Sequence, residues 1–312
     1  MDWINNIHTY IKMTDIPEKM PYSFEEVLAC KTLTHHDLSW DFKNLKKFDG
    51  LTNPRKFCGN PILYHYQMKN LLECKRGGKN WKKLEDWFDD PVLKEKLWQD
   101  TIIRNRRDKC PYPNKTDVYE CHRLNNGSIV FFKASTAKYI YTMFKAKNVL
   151  DPTAGWGGRM LGASSLNIKY TGFDTNVNMK EAYSNMKRDG FSTDKQKMIW
   201  QDCLTADFRE INPDLVLTSP PYANLELYEH MVAWKNDDDF YVTFLIPLME
   251  KLFTETNCPI CINISPHIYN KMVTKYNIPK CVYQVDLRQQ LGKQFKTKSQ
   301  DYIYCWNMEV TL

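Results

Sequence analysis

Beyond about residue 128, short apolar runs alternate with stretches whose apolar residues recur at helical spacing. The runs predict strands within Asn148–Gly155, Lys169–Asn176, Lys197–Cys203 and Asp214–Tyr222, and further strands within Pro259–Ser265, Val282–Gln290 and Asp301–Asn307. Helices are expected over Gly158–Ser165, over Asn178–Gly190, which Gly190 closes, and over Asp239–Phe253. Strand and helix in regular alternation imply a mostly parallel sheet covered on both faces, a doubly wound, Rossmann-like α/β fold. Such sheets bind ligands at the carboxyl ends of their strands, near the point where strand order reverses. Before residue 128 the texture differs. Trp- and Lys-rich stretches at helical spacing follow Asn60-Pro61 and Pro91, broken by turn signals. Two regions are therefore expected: a mostly helical accessory region, 1–127, with a possible role in target recognition, and the sheet domain, 128–312.

Composition narrows this picture only modestly. The chain has 312 residues, 43% hydrophobic and 26% charged, enough to bury a core rather than remain disordered. A net charge of +6 is compatible with a polyanionic partner without being diagnostic of one. Ten cysteines spread thinly over this length do not form a disulfide scaffold. No signal-peptide pattern follows Met1, and no run approaches the roughly 18 apolar residues of a membrane span. The expectation is a soluble protein of a reducing compartment, cytoplasm or nucleus, with no membrane partner. No metal is expected either. Cys258 and Cys261 have knuckle spacing but lack a second pair, and Cys110, Cys121 and His122 form only a loose cluster.

The chemistry gathers at the predicted strand ends. Asp151-Pro152-Thr153-Ala154-Gly155-Trp156-Gly157-Gly158 is a glycine turn between a strand and a helix, where backbone can approach a ligand closely. The next strand ends in Asp174-Thr175-Asn176, an acidic position suited to the two hydroxyls of a ribose. The third ends in Asp202-Cys203, where a carboxylate suits an adenine amino group. Three consecutive strands ending in Asp151, Asp174 and Asp202 point to a nucleoside cofactor, with Trp156 shaping its pocket.

The fourth strand runs into Thr218-Ser219-Pro220-Pro221-Tyr222. Two prolines remove two N–H donors, so this backbone can only accept hydrogen bonds. The Pro220 carbonyl and the Ser219 side chain could accept the two hydrogens of a substrate amine, localising its lone pair. Tyr222 could stack on a base rotated out of a duplex. A rigid proline turn with a packed tyrosine is the alternative, weakened by its position after the fourth strand.

With these two motifs the chain resembles the amino-methyltransferase group of S-adenosylmethionine-dependent DNA methyltransferases, which modify cytosine N4 or adenine N6. The family's Asp/Glu-Pro-Phe-x-Gly-x-Gly stands here as Asp151 to Gly157, with Thr153 in the usual aromatic position, and its catalytic motif as Ser219 to Tyr222. A stretch from Phe132 to Ile140 is similar to the motif upstream of the glycine turn, which implies that Lys133 and Ser135 help hold the methionine end of the cofactor. The extended strings also resemble methyltransferases of phages and large DNA viruses. The resemblance implies S-adenosylmethionine as cofactor, DNA as substrate with RNA possible, and base flipping. Ser219 leans the modified base towards cytosine N4. The implied cofactor contacts are Lys133, Ser135, Asp151, Pro152, Thr153, Ala154, Gly155, Gly157, Asp174, Asn176, Asp202 and Cys203. No Pro-Cys pair follows the fourth strand, so a covalent cytosine-C5 mechanism is not expected. Lys82, Lys83, Arg104, Arg106, Arg107, Lys293 and Lys296 could meet phosphates or be solvated surface charges. Methylation of RNA or of a protein amide, and a non-catalytic cofactor- or DNA-binding module, are the alternative readings.

Overall fold

The computed structural model describes residues 16–52, 58–76, 82–107, 112–125, 130–223, 226–227, 234–287 and 301–308. By its contacts the chain divides into two compact units, 1–31 with 79–129, and 32–78 with 130–312. Residues 32–78 therefore belong to the unit that carries the sheet, and not to the accessory one. No helix among the described residues is long and apolar enough to cross a membrane.

The sheet has seven strands: β1 Asn148–Asp151, β2 Lys169–Phe173, β3 Gln196–Ile199, β4 Leu215–Thr218, β5 Ile260–Ile264, β6 Tyr283–Leu287 and β7 Asp301–Trp306. Their order is β3-β2-β1-β4-β5-β7-β6. The first five run parallel, and β7 lies antiparallel between β5 and β6. This is the doubly wound, Rossmann-like sheet expected from the alternation, with its order reversing between β1 and β4. All four residues of β4 are buried, as a central strand covered on both faces requires.

Helices α1 His35–Lys47, α2 Asn60–Glu73, α3 Ala134–Met143, α4 Gly158–Ser165, α5 Lys180–Arg188, α6 Ile246–Glu255 and α7 Pro266–Lys275 belong to the same unit. The segment 32–78 is tied in by polar contacts. Tyr66 Oη donates to Asp189 at 2.6 Å, and Lys138 Nζ caps the end of α1 by donating to the carbonyls of Leu45 and Lys46 at 2.9 Å each. The single helix expected over Asp239–Phe253 is instead an α-helical turn, Asp237–Phe240, a π-helical turn, Tyr241–Leu245, and α6. Pro247 supplies the reason: it has no N–H to donate, and its ring would crowd the preceding turn of a regular helix. Helix α7 escaped the periodicity reading, although Ser265 caps it and Pro266 opens it.

Helices α3 and α4 pack closely because α4 carries glycines on the shared face. A Cβ at Gly162 would stand 2.7 Å from the Ala137 Cβ on α3, and one at Gly158 would run into the Phe132 carbonyl oxygen just ahead of that helix. Gly158→Ala is expected to destabilise the fold by about 1–3 kcal/mol, because backbone must move. A thermal melt unchanged from the parent protein would contradict this packing.

The accessory unit is helical, with helices Phe24–Leu28, Leu84–Asp89, Pro91–Arg107 and Lys115–Asn125 around Trp98, Tyr119, Leu84 and Val27. Trp98 Nε1 donates to the Pro17 carbonyl at 2.8 Å. His122 is buried beside Trp87, and burial pushes its imidazole down to about 4. Lys82 and Lys83 stand at the start of helix Leu84–Asp89, and Arg104 lies in the last turns of Pro91–Arg107. The side chains of Arg106 and Arg107, and all of Lys293 and Lys296, lie outside the described residues.

Candidate active site

A cavity of about 380 Å³ opens at the carboxyl ends of β1, β2 and β4, where the strand order reverses. Its wall includes Pro152, Thr153, Ala154 and Gly155 after β1, Asp174 and Asn176 after β2, and Asp202 and Cys203 beyond β3. Ser219, Pro220, Pro221 and Tyr222 after β4 line it as well. The size falls in the range of small-ligand sites, roughly 300–1,000 Å³.

Asp174 organises the cofactor side. Its Oδ2 accepts the Gly155 N–H at 2.8 Å and its Oδ1 the Asn176 N–H at 2.9 Å. Burial pushes its carboxyl up to about 6, against the pull of those two N–H groups. Each oxygen keeps a lone pair for a second donor. Gly155 has φ +58°, and a Cβ there would stand free, 3.9 Å from its nearest neighbour, the Thr153 carbonyl. The glycine thus leaves open a volume that any side chain would occupy, and a ligand can lie against the bare backbone. Tyr183 Oη donates to the Gly155 carbonyl at 2.7 Å and fixes the turn from behind. Asp202 is exposed at the rim, with Oδ1 accepting the Leu204 N–H at 2.9 Å. Cys203 is buried, and burial pushes its thiol up to about 12, so it offers apolar wall rather than a nucleophile. A ribose-bearing nucleoside fits this set: a bare glycine turn, a carboxyl with spare acceptor capacity, and an apolar slot closed by Met179 and Leu204.

Four residues expected to contact the cofactor do not line the cavity. Asp151 is fully buried beneath it, where donors from every side converge on its carboxylate. Arg159 Nε and Tyr170 Oη lie 2.6 Å from Oδ2, and Thr218 Oγ1 lies 2.8 Å from Oδ1. Ser135 is buried in the first turn of α3, and Lys133 stands at the N-cap position of that helix without a side-chain capping bond; Val130 and Phe132 from the same stretch line the cavity instead. Gly157 turns the chain into α4 with φ +94°, its α-carbon against Tyr183 and Met186.

On the side of the Ser219–Tyr222 loop, Ser219 Oγ donates to Asn263 Oδ1 at 3.4 Å, and Asn263 Nδ2 donates to the Tyr302 carbonyl at 2.9 Å. The amide is thereby oriented with its oxygen towards Ser219. The hydroxyl proton is drawn to the strand, and its lone pairs are left for a donor in the cavity. Tyr222 packs against the core cluster under α6 while lining the cavity, together with Trp234, Thr243 and Phe244. Trp234 and Phe240 meet edge to face at 4.9 Å. Thr243 and Phe244 come from the π-turn, a position that no helical periodicity could assign to a cavity. Asn263 carries a sequence signal only in hindsight, as a polar residue in an apolar strand.

No family model matches the chain. The curated relatives it matches are methyltransferases. They bear the name ribosomal RNA large subunit methyltransferase G, from Shewanella sp. (strain W3-18-1), Shewanella baltica and Shewanella putrefaciens, at 34% identity over 62 residues. That segment is 20% of this chain and covers 16% of the length of those relatives. Among solved structures, the chain is similar to precorrin-6y C5,15-methyltransferase from Geobacter metallireducens GS-15, with 14% identity and a TM-score of 0.39. That match covers 58% of this chain and 92% of the other. An RNA methyltransferase from Salinibacter ruber in complex with S-adenosyl-L-homocysteine gives 15% identity and a TM-score of 0.35, covering 57% and 92%.

Among the described residues no group of three or more His, Cys, Asp or Glu could hold a metal ion. Cys258 and Cys261 are buried, and the Cys261 sulfur lies 3.4 Å from that of Cys305 on the neighbouring strand.

Proposed function

We propose that this chain is an S-adenosylmethionine-dependent methyltransferase acting on an exocyclic amino group of a nucleic-acid base, with RNA the first substrate to consider. The observation that carries the proposal is a single cavity joining the Gly155–Asp174 wall to the acceptor-only loop Ser219–Tyr222. The cofactor supplies an electrophilic methyl group when bound. Asp174 would accept the ribose hydroxyls, Asp202 would accept from the adenine amino group, and Met179 and Leu204 would offer apolar wall to the adenine. The Ser219 hydroxyl and the Pro220 carbonyl accept the two amine hydrogens, turning the nitrogen lone pair towards the methyl donor. Tyr222 holds the base plane. Most of the acceleration then comes from orientation and proximity.

RNA is favoured over DNA by the names of the curated relatives. DNA, at cytosine N4 ahead of adenine N6, is supported by Ser219-Pro220-Pro221-Tyr222 and by the motif resemblance. Incubation with radiolabelled S-adenosylmethionine and, in parallel, ribosomal RNA and unmethylated genomic DNA separates the two, with nucleoside mass spectrometry as the readout. A methylated ribonucleoside supports RNA, and N4-methylcytosine or N6-methyladenine in DNA supports the second reading. Cofactor binding without transfer to either would overturn both.

The Asp174 carboxyl sets a pH dependence. Only its carboxylate form accepts fully from the ribose, so cofactor affinity is expected to fall about tenfold between about pH 7 and about pH 5. The ligand-free fold responds in the opposite sense. A folded-state value above the ordinary 3.8 means that the stability tied to this group is fully present below 3.8 and is lost as pH rises through about 6. Isothermal titration across this range checks the first statement, and Asp174→Asn should flatten the profile.

A further inference from the structure

The hydroxyl of Thr153 stands where the resemblance leads one to expect an aromatic ring, and its hydrogen-bond polarity is set by the chain of partners behind it, Thr218 and then Asp151. Asp151 offers only acceptors, because Arg159 Nε and the Thr153 backbone N–H, which lies 3.3 Å from Oδ1, have nothing but protons to offer it. Thr218 Oγ1, 2.8 Å from the same Oδ1, must therefore donate its own proton to the carboxylate. Thr218 is fully buried and has no other proton to give. The Thr153 Oγ1 lies 2.6 Å from Thr218 Oγ1, so the proton between these two oxygens belongs to Thr153. Thr218 is then complete, donating once and accepting from both the hydroxyl and the backbone N–H of Thr153, the latter at 3.2 Å. Thr153 has spent its only side-chain proton inward, and what its oxygen has left is lone pairs.

Thr153 lines the cavity, and its partner Thr218 directly precedes Ser219. Thr153 therefore stands on the seam between the glycine turn and the Ser219–Tyr222 loop, between the two walls that a bound cofactor and an amine would occupy. Because Asp151 is itself held by Arg159 and Tyr170, the hydroxyl cannot reverse without stranding two acceptors face to face. We infer that Thr153 is a specificity-determining residue, an oriented acceptor that selects the positively charged sulfonium, with its polarised methyl hydrogens, over a neutral thioether. The inference rests on the proposed cofactor, and adds to it a reason why charged donor and spent product would be told apart.

The test is a ratio of affinities. Isothermal titration of the full chain with S-adenosylmethionine and with S-adenosylhomocysteine gives two dissociation constants for the parent protein, Thr153→Val and Thr153→Ser. Thr153→Val keeps the shape and removes the acceptor, and is expected to weaken the sulfonium ligand about twofold to fivefold while leaving the thioether nearly unchanged. Thr153→Ser should restore the parent ratio. Thr153→Ala repeats the measurement if the valine variant does not fold. Equal weakening of both ligands, or failure of serine to restore the ratio, would overturn the inference and leave Thr153 a structural strut. A parent protein that binds neither ligand would instead refute the cofactor reading, a separate outcome.

Discussion

Arg159→Met is expected to lower folding stability by about 3–5 kcal/mol, because it leaves a buried carboxylate without its cation. Arg159 is 3% exposed and Asp151 is fully buried, so water cannot replace the lost partner. The guanidinium donates through Nε to Asp151, reaches the Thr153 carbonyl with its second nitrogen, and lies over the Phe132 ring at 5.0 Å. Methionine can refill the space over Phe132 but can donate to neither oxygen. Arg159→Lys keeps the charge and loses the planar fork, and should fall between the two. Urea denaturation of the three proteins measures the series. If the methionine variant lost less than about 1 kcal/mol, the pair would be no more than a surface-like contact. Adding Asp151→Asn to Arg159→Met should recover part of the loss, since the orphaned charge is then gone.

Tyr222→Ala is expected to reduce kcat/KM by about tenfold to a hundredfold, the 1–3 kcal/mol of one base stacked on an aromatic ring. Affinity for S-adenosylmethionine should change little, because the proposed function gives Tyr222 the substrate base and not the cofactor. Tyr222→Phe should retain most of the activity, since the ring and not the hydroxyl carries the contact. Ser219→Ala should cost less, because the Pro220 carbonyl remains as an acceptor for the amine. If Tyr222→Ala and Pro220→Ala both turned over normally, the amine site would have to be sought elsewhere. Equal losses in cofactor affinity and turnover would instead mark Tyr222 as a packing residue of the core beneath α6.

The sheet was legible in the sequence because its strands are buried on both faces. Leu215–Thr218 and Ile260–Ile264 are short apolar runs bounded by turn residues, which are difficult to mistake once helices intervene. The glycine turn and the Ser-Pro-Pro-Tyr loop were legible because their backbone chemistry is written in residue type. What stayed hidden depends on long-range partners. Asp151 is an acidic residue at a strand end, like Asp174, and nothing local distinguishes a carboxylate facing the cavity from one sealed beneath it by Arg159, Tyr170 and Thr218. The membership of residues 32–78 in the sheet-bearing unit was hidden for the same reason, since Tyr66 finds Asp189 and Lys138 finds Leu45 only after folding. Phe244 reaches the cavity through the π-turn, a one-residue slip that Pro247 forces and that a 3.6-residue period cannot register.

The position of β7 has a consequence for how the sheet is completed. Among the described residues, β6 is hydrogen-bonded only through β7, which comes after it in the chain and slots between it and β5. The five parallel strands can pair with one another before residues 301–306 join the sheet. For that interval the edge of β5 stands open and β6 has no neighbour to join. Until then a strand position beside β5 stands vacant, and it is the docking of Asp301–Trp306 that closes the sheet.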